Sequence, residues 1–395
     1  MPNLYYFQKQ AVIIRMDILL FRIISLVTPA RLSAQDSIFK LKGQVDGFTG
    51  LNFSTPVQVQ TGARFLPTLS IGKNLKNNLK FDSEISFDSY LNYQFSGKGN
   101  NSFDSKIKPY RLWVRLSSER FELRAGLQKI NFGSAAVLRP LMWFDHIDPR
   151  DPLQLTDGVY GLLGRYYFQN NANAWLWVLW GNDKTMGWET VPTVKNVPEF
   201  GGRMQFPVTK GEVAVSFHHR NADLTRVLNP AAIHGDASYP EDKIGLDGKW
   251  DIGPGLWAEY SLAHSTLDST YFQPWTKLFT IGIDYTFGIG NGLYIASEFF
   301  RYSSAAAIFD PGNNITFSSL TANYPIGINK LGTIIYYSWT DKTWYRFINL
   351  QRQSDNWTFY LFLFWNPEKF AIYNNISGNN MFSGKGIQFM TVFNF

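Results

Sequence analysis

From Leu79 to Phe95 the chain alternates with a period of two. Leu79, Phe81, Ser83, Ile85, Phe87, Ser89, Leu91, Tyr93 and Phe95 fall on one face, and Lys80, Asp82, Glu84, Ser86, Asp88, Tyr90, Asn92 and Gln94 on the other. A helix would scatter these residues around its axis; only a strand separates them. At about 3.3 Å per residue the run is far longer than a strand of an ordinary soluble domain. Shorter alternations follow: Phe121, Leu123, Ala125 and Leu127 against Arg120, Glu122, Arg124 and Gln128, then Val213, Val215 and Phe217 against Glu212, Ser216, His218 and Arg220. Phe279, Ile281, Ile283, Tyr285 and Phe287 oppose Thr280, Asp284 and Thr286 in the same way.

The connections carry a second signal. Tight links at 117–119, 169–173, 209–211, 253–255 and 288–291 take turns with longer ones at 133–157, 182–198, 221–242, 265–275 and 304–313. Short hairpins at one end and larger loops at the other mark an up-and-down membrane barrel. The pattern blurs at Asp341, which sits in a tight turn on the long-loop side. The expectation is an all-β fold, one antiparallel transmembrane barrel of 18 strands, with 16 or 14 if the first pair or the weaker strands near Ile315 fail. Apolar side chains would face lipid and polar ones the lumen. Closure satisfies every backbone donor and acceptor, which an open sheet in lipid could not.

Composition narrows the alternatives. Aromatic and charged residues each make up 17% of the 395 residues, a low charge for a soluble surface. The chain has no cysteine, which removes disulfide frameworks, cysteine zinc sites and thiol nucleophiles. Lys and Arg exceed Asp and Glu by 37 to 31, but no basic cluster of nucleic-acid type appears. Residues 1–34 read as a signal peptide: Lys9 and Arg15 lead an apolar stretch at Ile18–Val27, and Leu32-Ser33-Ala34 resembles a cleavage site, leaving 35–395 as the barrel. Trp143, Trp180, Trp188, Trp257, Trp275, Trp339, Trp344 and Trp357 lie near strand ends, as expected of interfacial girdles.

The last ten residues, Gly386 to Phe395, alternate and stop on an aromatic residue. With the leader-like N-terminus, this terminal strand resembles that of bacterial outer-membrane porin-type β-barrels. Arg124-Ala125-Gly126-Leu127-Gln128-Lys129-Ile130-Asn131-Phe132-Gly133 is similar to an Arg-x-Gly-x-Gln…Trp/Phe-Gly pattern of porin-like families. The resemblance implies a location in the bacterial outer membrane, with short periplasmic turns and long outer loops. It also implies passive diffusion of small hydrophilic solutes, including anionic ones, and insertion by the barrel assembly machinery through Phe395. A homotrimer or an envelope protein complex would be the assembled form. The competing expectation is a non-conducting barrel subunit of a secretion, assembly or nutrient-uptake complex, docking through loops such as 221–242 and 366–385.

Two groups of residues are candidates for function. Segment 133–157 breaks the alternation and concentrates Arg139, Asp145, His146, Asp148, Arg150 and Asp151 among three prolines. Such a segment folds inward as a constriction or packs on the rim with Asp-Pro turns; three aspartates also suit calcium, though not at EF-hand spacing. The second group is the inward-facing charge: Arg64, Arg111, Arg115, Arg124, Arg203, Arg220 and Arg346 with Asp82, Glu84, Glu122, Glu259 and Glu298. Arginine forks suit carboxylate, phosphate or sulfate, while the same charges paired across strands would serve stability alone. An enzyme is not expected, nor a metal or other cofactor. The five histidines form no chelating pair, no Gly-x-Ser-x-Gly element is present, and Gly288, Gly290 and Gly292 read as a hairpin turn.

Overall fold

Every strand hydrogen-bonds to its neighbours in sequence, and β1 (Phe39–Asn52) pairs with both β2 (Gln58–Asn74) and β18 (Lys385–Asn394), so the 18-stranded antiparallel sheet closes on itself. The computed structural model describes residues 38–97, 101–228, 237–266, 272–368 and 382–395. The expected leader at 1–34 lies outside the described residues, as does most of the loop at 366–385. The closing seam runs from Gln44 opposite Asn394 to Asn52 opposite Gly386. Beyond it, Gly43 and Phe395 exchange both backbone hydrogen bonds at 3.0 Å, and the Phe395 ring lies where a Cβ on residue 43 would sit. A side chain there would push the terminal ring out of the seam.

The connections sort by side as the sequence suggests. Turns after β2, β4 (Ser102–Ser117), β6 (Val159–Tyr167), β8 (Glu199–Val208) and β10 (Ser238–Asp251) share one end with both termini, and all are short. Segments 129–158 and 180–198 emerge at the other end, beside β5 (Phe121–Gln128), β6, β7 (Asn173–Leu179) and β8. These four strands have only 7 to 10 residues, whereas β1 to β4 have 14 to 17. About 9 to 11 residues span a membrane, so the two large connections leave a low wall. Connections on this end are not uniformly long: 339–342 is a tight turn between β15 (Asn329–Ser338) and β16 (Thr343–Ser354).

The outer face is apolar. Leu176, Val178, Ile244, Leu246, Ile281, Ile283, Ile348 and Leu363 are exposed along their strands, while the alternate positions are covered. The inner face departs from the expected polar lining along one side of the barrel. Leu278, Phe300, Phe317, Tyr336, Tyr345, Phe347 and Phe364, on β12 (Trp275–Phe287) through β17 (Trp357–Trp365), are buried together with Val137, Leu138 and Met142 of the first large connection. An inner wall is free to be apolar where another part of the chain covers it. Three of the expected girdle tryptophans belong to this interior instead: Trp143 packs against Phe132 and Phe144, Trp188 stacks on Phe300 at 4.8 Å, and Trp257 is buried.

Candidate functional site

Segment 129–158 is seated by two carboxylates on the inner wall. Glu259 of β11 (Gly255–Ser265) accepts the Ala135 N–H at 2.6 Å and the Leu141 N–H at 3.3 Å. Glu298 of β13 (Leu293–Ala305) accepts N–H groups of Ala136, Val137 and Leu138 at 2.6 to 3.3 Å, and the Trp257 indole at 3.0 Å. Both lie in the middle of their strands. Neither forms an ion pair among the described residues; a run of backbone donors replaces the missing cation, as charge-assisted bonds can. Thr280 donates to the Leu138 carbonyl at 2.6 Å, and the Trp143 indole donates to Ser261 at 3.0 Å.

The charged residues of the segment mostly bond to one another. Arg139 pairs with Asp145 at 3.0 Å, both buried, and also donates to Asn131 and the Phe132 carbonyl. Asp148 binds Arg150 through both oxygens, while Arg150 lies over the rings of Phe347 and Phe382. Asp151 accepts the N–H groups of Leu153 and Leu155, and His146 meets the Thr185 carbonyl at 2.6 Å. The three aspartates therefore point to three different partners. No cluster of three His, Asp or Glu suited to a metal ion occurs among the described residues. Within the segment, Arg139 neutralises Asp145 and Arg150 neutralises Asp148.

Segment 180–198 leans on the first. Trp188 donates its indole N–H to the Arg139 carbonyl at 2.8 Å, and Glu189 meets Arg220 at 3.1 Å and also pairs with Lys243. Arg220 in turn donates to Glu241 at 2.7 Å and to the Val191 carbonyl at 2.9 Å. Gly187, at φ 51°, makes this contact possible: a Cβ there would lie 1.7 Å from the Met142 carbonyl oxygen.

On the opposite wall the expected residues form a ladder of pairs. Arg64 meets Asp88 at 3.2 Å, Arg115 meets Asp82 at 2.9 Å and Glu122 at 3.5 Å, and Arg124 meets Glu122 at 2.8 Å. Arg203 of β8 forms a two-pronged pair with Asp247 of β10, which lies not on this wall but directly across from Glu259. Glu84 stands opposite Trp113 on the same face. A register shift at Ser86/Phe87 skips Tyr110, beside Pro109, which has no N–H to give the ladder. The bulge aims Tyr110 into a cavity of about 740 Å³ that Arg64, Asp88, Lys108 and Asp157 also line. Arg111, adjacent, donates to the Thr156 carbonyl at 3.0 Å. Burial works to raise the Asp157 carboxyl, but bonds and charge from Lys108 and Lys184 outweigh it and hold the group at about 2.

Arg346 is the one expected lining residue that faces the other way. It alternates with the buried Tyr345 and Phe347, stands opposite Trp365, and lies over the rings of Trp344 and Trp365 on the outer face. The aromatic inner wall fixes that register: turning Arg346 inward would expel two rings from their seat. Sequence reasoning also missed Lys108, Arg165, Glu189, Glu241 and Lys243, whose partners lie on other strands or in loops. The apolar seat did leave a signal. Trp357 to Trp365 reads Trp-Thr-Phe-Tyr-Leu-Phe-Leu-Phe-Trp, a strand without a polar face, as expected when both faces are covered.

No protein-family profile matches the chain, and no curated protein matches it in sequence. Among solved structures it is similar to Pseudomonas aeruginosa OccK5 (OpdH), at 13% identity and a TM-score of 0.54, covering 90% of this chain and 98% of that one. Acinetobacter baumannii OccAB1 is similar at 10% identity and a TM-score of 0.54, covering 93% and 98%. At these identities the likeness is one of fold, that of porin-type barrels.

Proposed function

We propose that the chain is a bacterial outer-membrane channel through which small hydrophilic solutes diffuse passively, with segment 129–158 as its constriction. The observation that carries the reading is the uneven wetting of the inner wall. Arg64, Lys108 and Arg115 keep 28%, 24% and 25% of their side-chain exposure, whereas Arg203 and Arg220 keep 3% and 1%. A path for water therefore follows β2, β3 (Lys80–Ser96), β4 and β5, opposite the aromatic seat. Barrels of 16 to 18 strands leave an aqueous channel in this way. The short turns would face the periplasm and the large connections the outside.

The lining then consists of Arg64, Lys108, Arg115 and Arg124 with their acids, and Arg111, Arg203, Arg220, Glu259 and Glu298 serve to hold the wall and the connections. Forked guanidinium donors favour solutes bearing carboxylate or phosphate. Recognition of β18 and Phe395 by the assembly machinery, and a homotrimer, belong to the same reading. Planar-bilayer recording in asymmetric salt tests it. Conduction with a reversal potential on the anion side is expected, and Arg64→Glu with Arg115→Glu should move that potential toward cations. Shortening Pro140–Pro152 should raise conductance. A folded barrel that never conducts would overturn the channel and leave the docking subunit.

A further inference from the structure

Arg346, Trp365 and Lys385 stand side by side on the outer face. Arg346 is the cross-strand partner of Trp365, and Trp365 of Lys385, on three adjacent strands. Both cations lie over the one indole, the Arg346 guanidinium carbon 5.3 Å and the Lys385 Nζ 4.6 Å from its centroid. At strand spacings of about 4.8 Å the two backbones are roughly 10 Å apart. Neither side chain has a carboxylate partner among the described residues. Other cations on the same face and the same rim are satisfied by the chain: Lys277 donates to the Ile308 and Asp310 carbonyls, and Arg301 to Asn314 at 2.9 and 3.1 Å.

The row sits at the end of the strands nearest the large connections, where Trp339, Trp344 and Trp365 are all about half exposed. Exposed tryptophans at a strand end mark the level of the headgroups. Both charges lie within 5.3 Å of the same ring centroid and repel one another, and the indole offsets this only in part. An anion that contacts both cations beside the ring would offset the repulsion and complete the coordination of both.

We propose that Arg346 and Lys385, organised by Trp365, bind the phosphate of a lipid headgroup in the leaflet on the loop side. The inference rests on the outer face lying in lipid and not on conduction, so loss of one leaves the other standing. Ile348 and Leu363, exposed on the same face one step further along the strands, supply the contact for the acyl chains. The two cations supply the contact for the phosphate. A free phosphate would gain only the second of these.

Native mass spectrometry of the detergent-purified barrel tests the assignment. The probes are a bisphosphorylated glycolipid, the same glycolipid after dephosphorylation, and inorganic phosphate. The wild type should retain the phosphorylated lipid and neither of the others. Arg346→Gln or Lys385→Gln should each weaken retention about fivefold, and the pair about 25-fold. Arg301→Gln should leave it unchanged. Arg346→Lys combined with Lys385→Arg keeps both charges and should keep binding, which guards against reading misfolding as loss of a site. Equal retention by the double Gln variant and the wild type overturns the site. Equal retention of the dephosphorylated lipid overturns the role of phosphate, and equal binding of inorganic phosphate overturns the lipid as its source.

Discussion

Removing the Glu298 carboxylate should release the middle of segment 129–158 while leaving the barrel intact. In Glu298→Ala the N–H groups of Ala136, Val137 and Leu138 lose their acceptor, as does the Trp257 indole. Hydrogen bonds to a charged group contribute about 1.5 to 3 kcal/mol each. The carboxylate's own burial offsets part of this, so only the two shortest backbone bonds, at 2.6 and 2.7 Å, are counted at the lower figure. The result is about 3 kcal/mol, or about 100-fold in local opening, since about 1.4 kcal/mol is tenfold. Hydrogen–deuterium exchange resolved to single amides should show that acceleration at 136–138, with the amides of β13 nearly unchanged. Glu298→Gln, which keeps one good acceptor, should show a smaller effect. Unchanged protection at 136–138 in the alanine variant would refute the anchoring argument. Equal acceleration along β13 would mean that the carboxylate serves the wall and not the loop.

Leu138 is fully buried among Phe300, Tyr336 and Tyr345, so Leu138→Ala should cost about 2 to 5 kcal/mol of the segment's attachment and appear as faster exchange over 137–142. Gly187→Ala should part the two large connections, because the new methyl meets the Met142 carbonyl; cleavage by added protease within 180–198 should become faster. Asp157 has a folded pKa of about 2, below its ordinary 3.8, so its hold on Lys108 and Lys184 is fully present above about pH 4. That hold is lost as pH falls toward 2; carboxyl carbon NMR should give a midpoint near 2, and Lys184→Met should move it upward.

The aromatic seat and the buried pairs explain why interior charge is tolerable. Arg203 with Asp247, and Arg220 with Glu189 and Glu241, are nearly sealed from water, where an unpaired charge would be very costly. Each arginine therefore holds wall to wall or wall to loop. Arg64 differs in keeping 28% of its side-chain exposure, although its partner Asp88 is buried.

The sequence by itself determined the strands, their number to between 14 and 18, and the direction of most side chains; the closed sheet has 18. A period of two is a local property, and a pair such as Thr280 and Ile281 declares its two faces from adjacent positions alone. It also placed Arg64, Arg115 and Arg203 on the inner wall, since the alternation of their strands leaves them on the polar side. Only the tertiary structure decided which inner positions stay wet. Arg346 faces outward because Tyr345 and Phe347 are drawn inward to cover Leu138, a partner far away along the chain. Burial depends on what crosses the lumen, and a connection that supplies its own hydrogen-bonding partners on distant strands leaves no periodic trace along the chain.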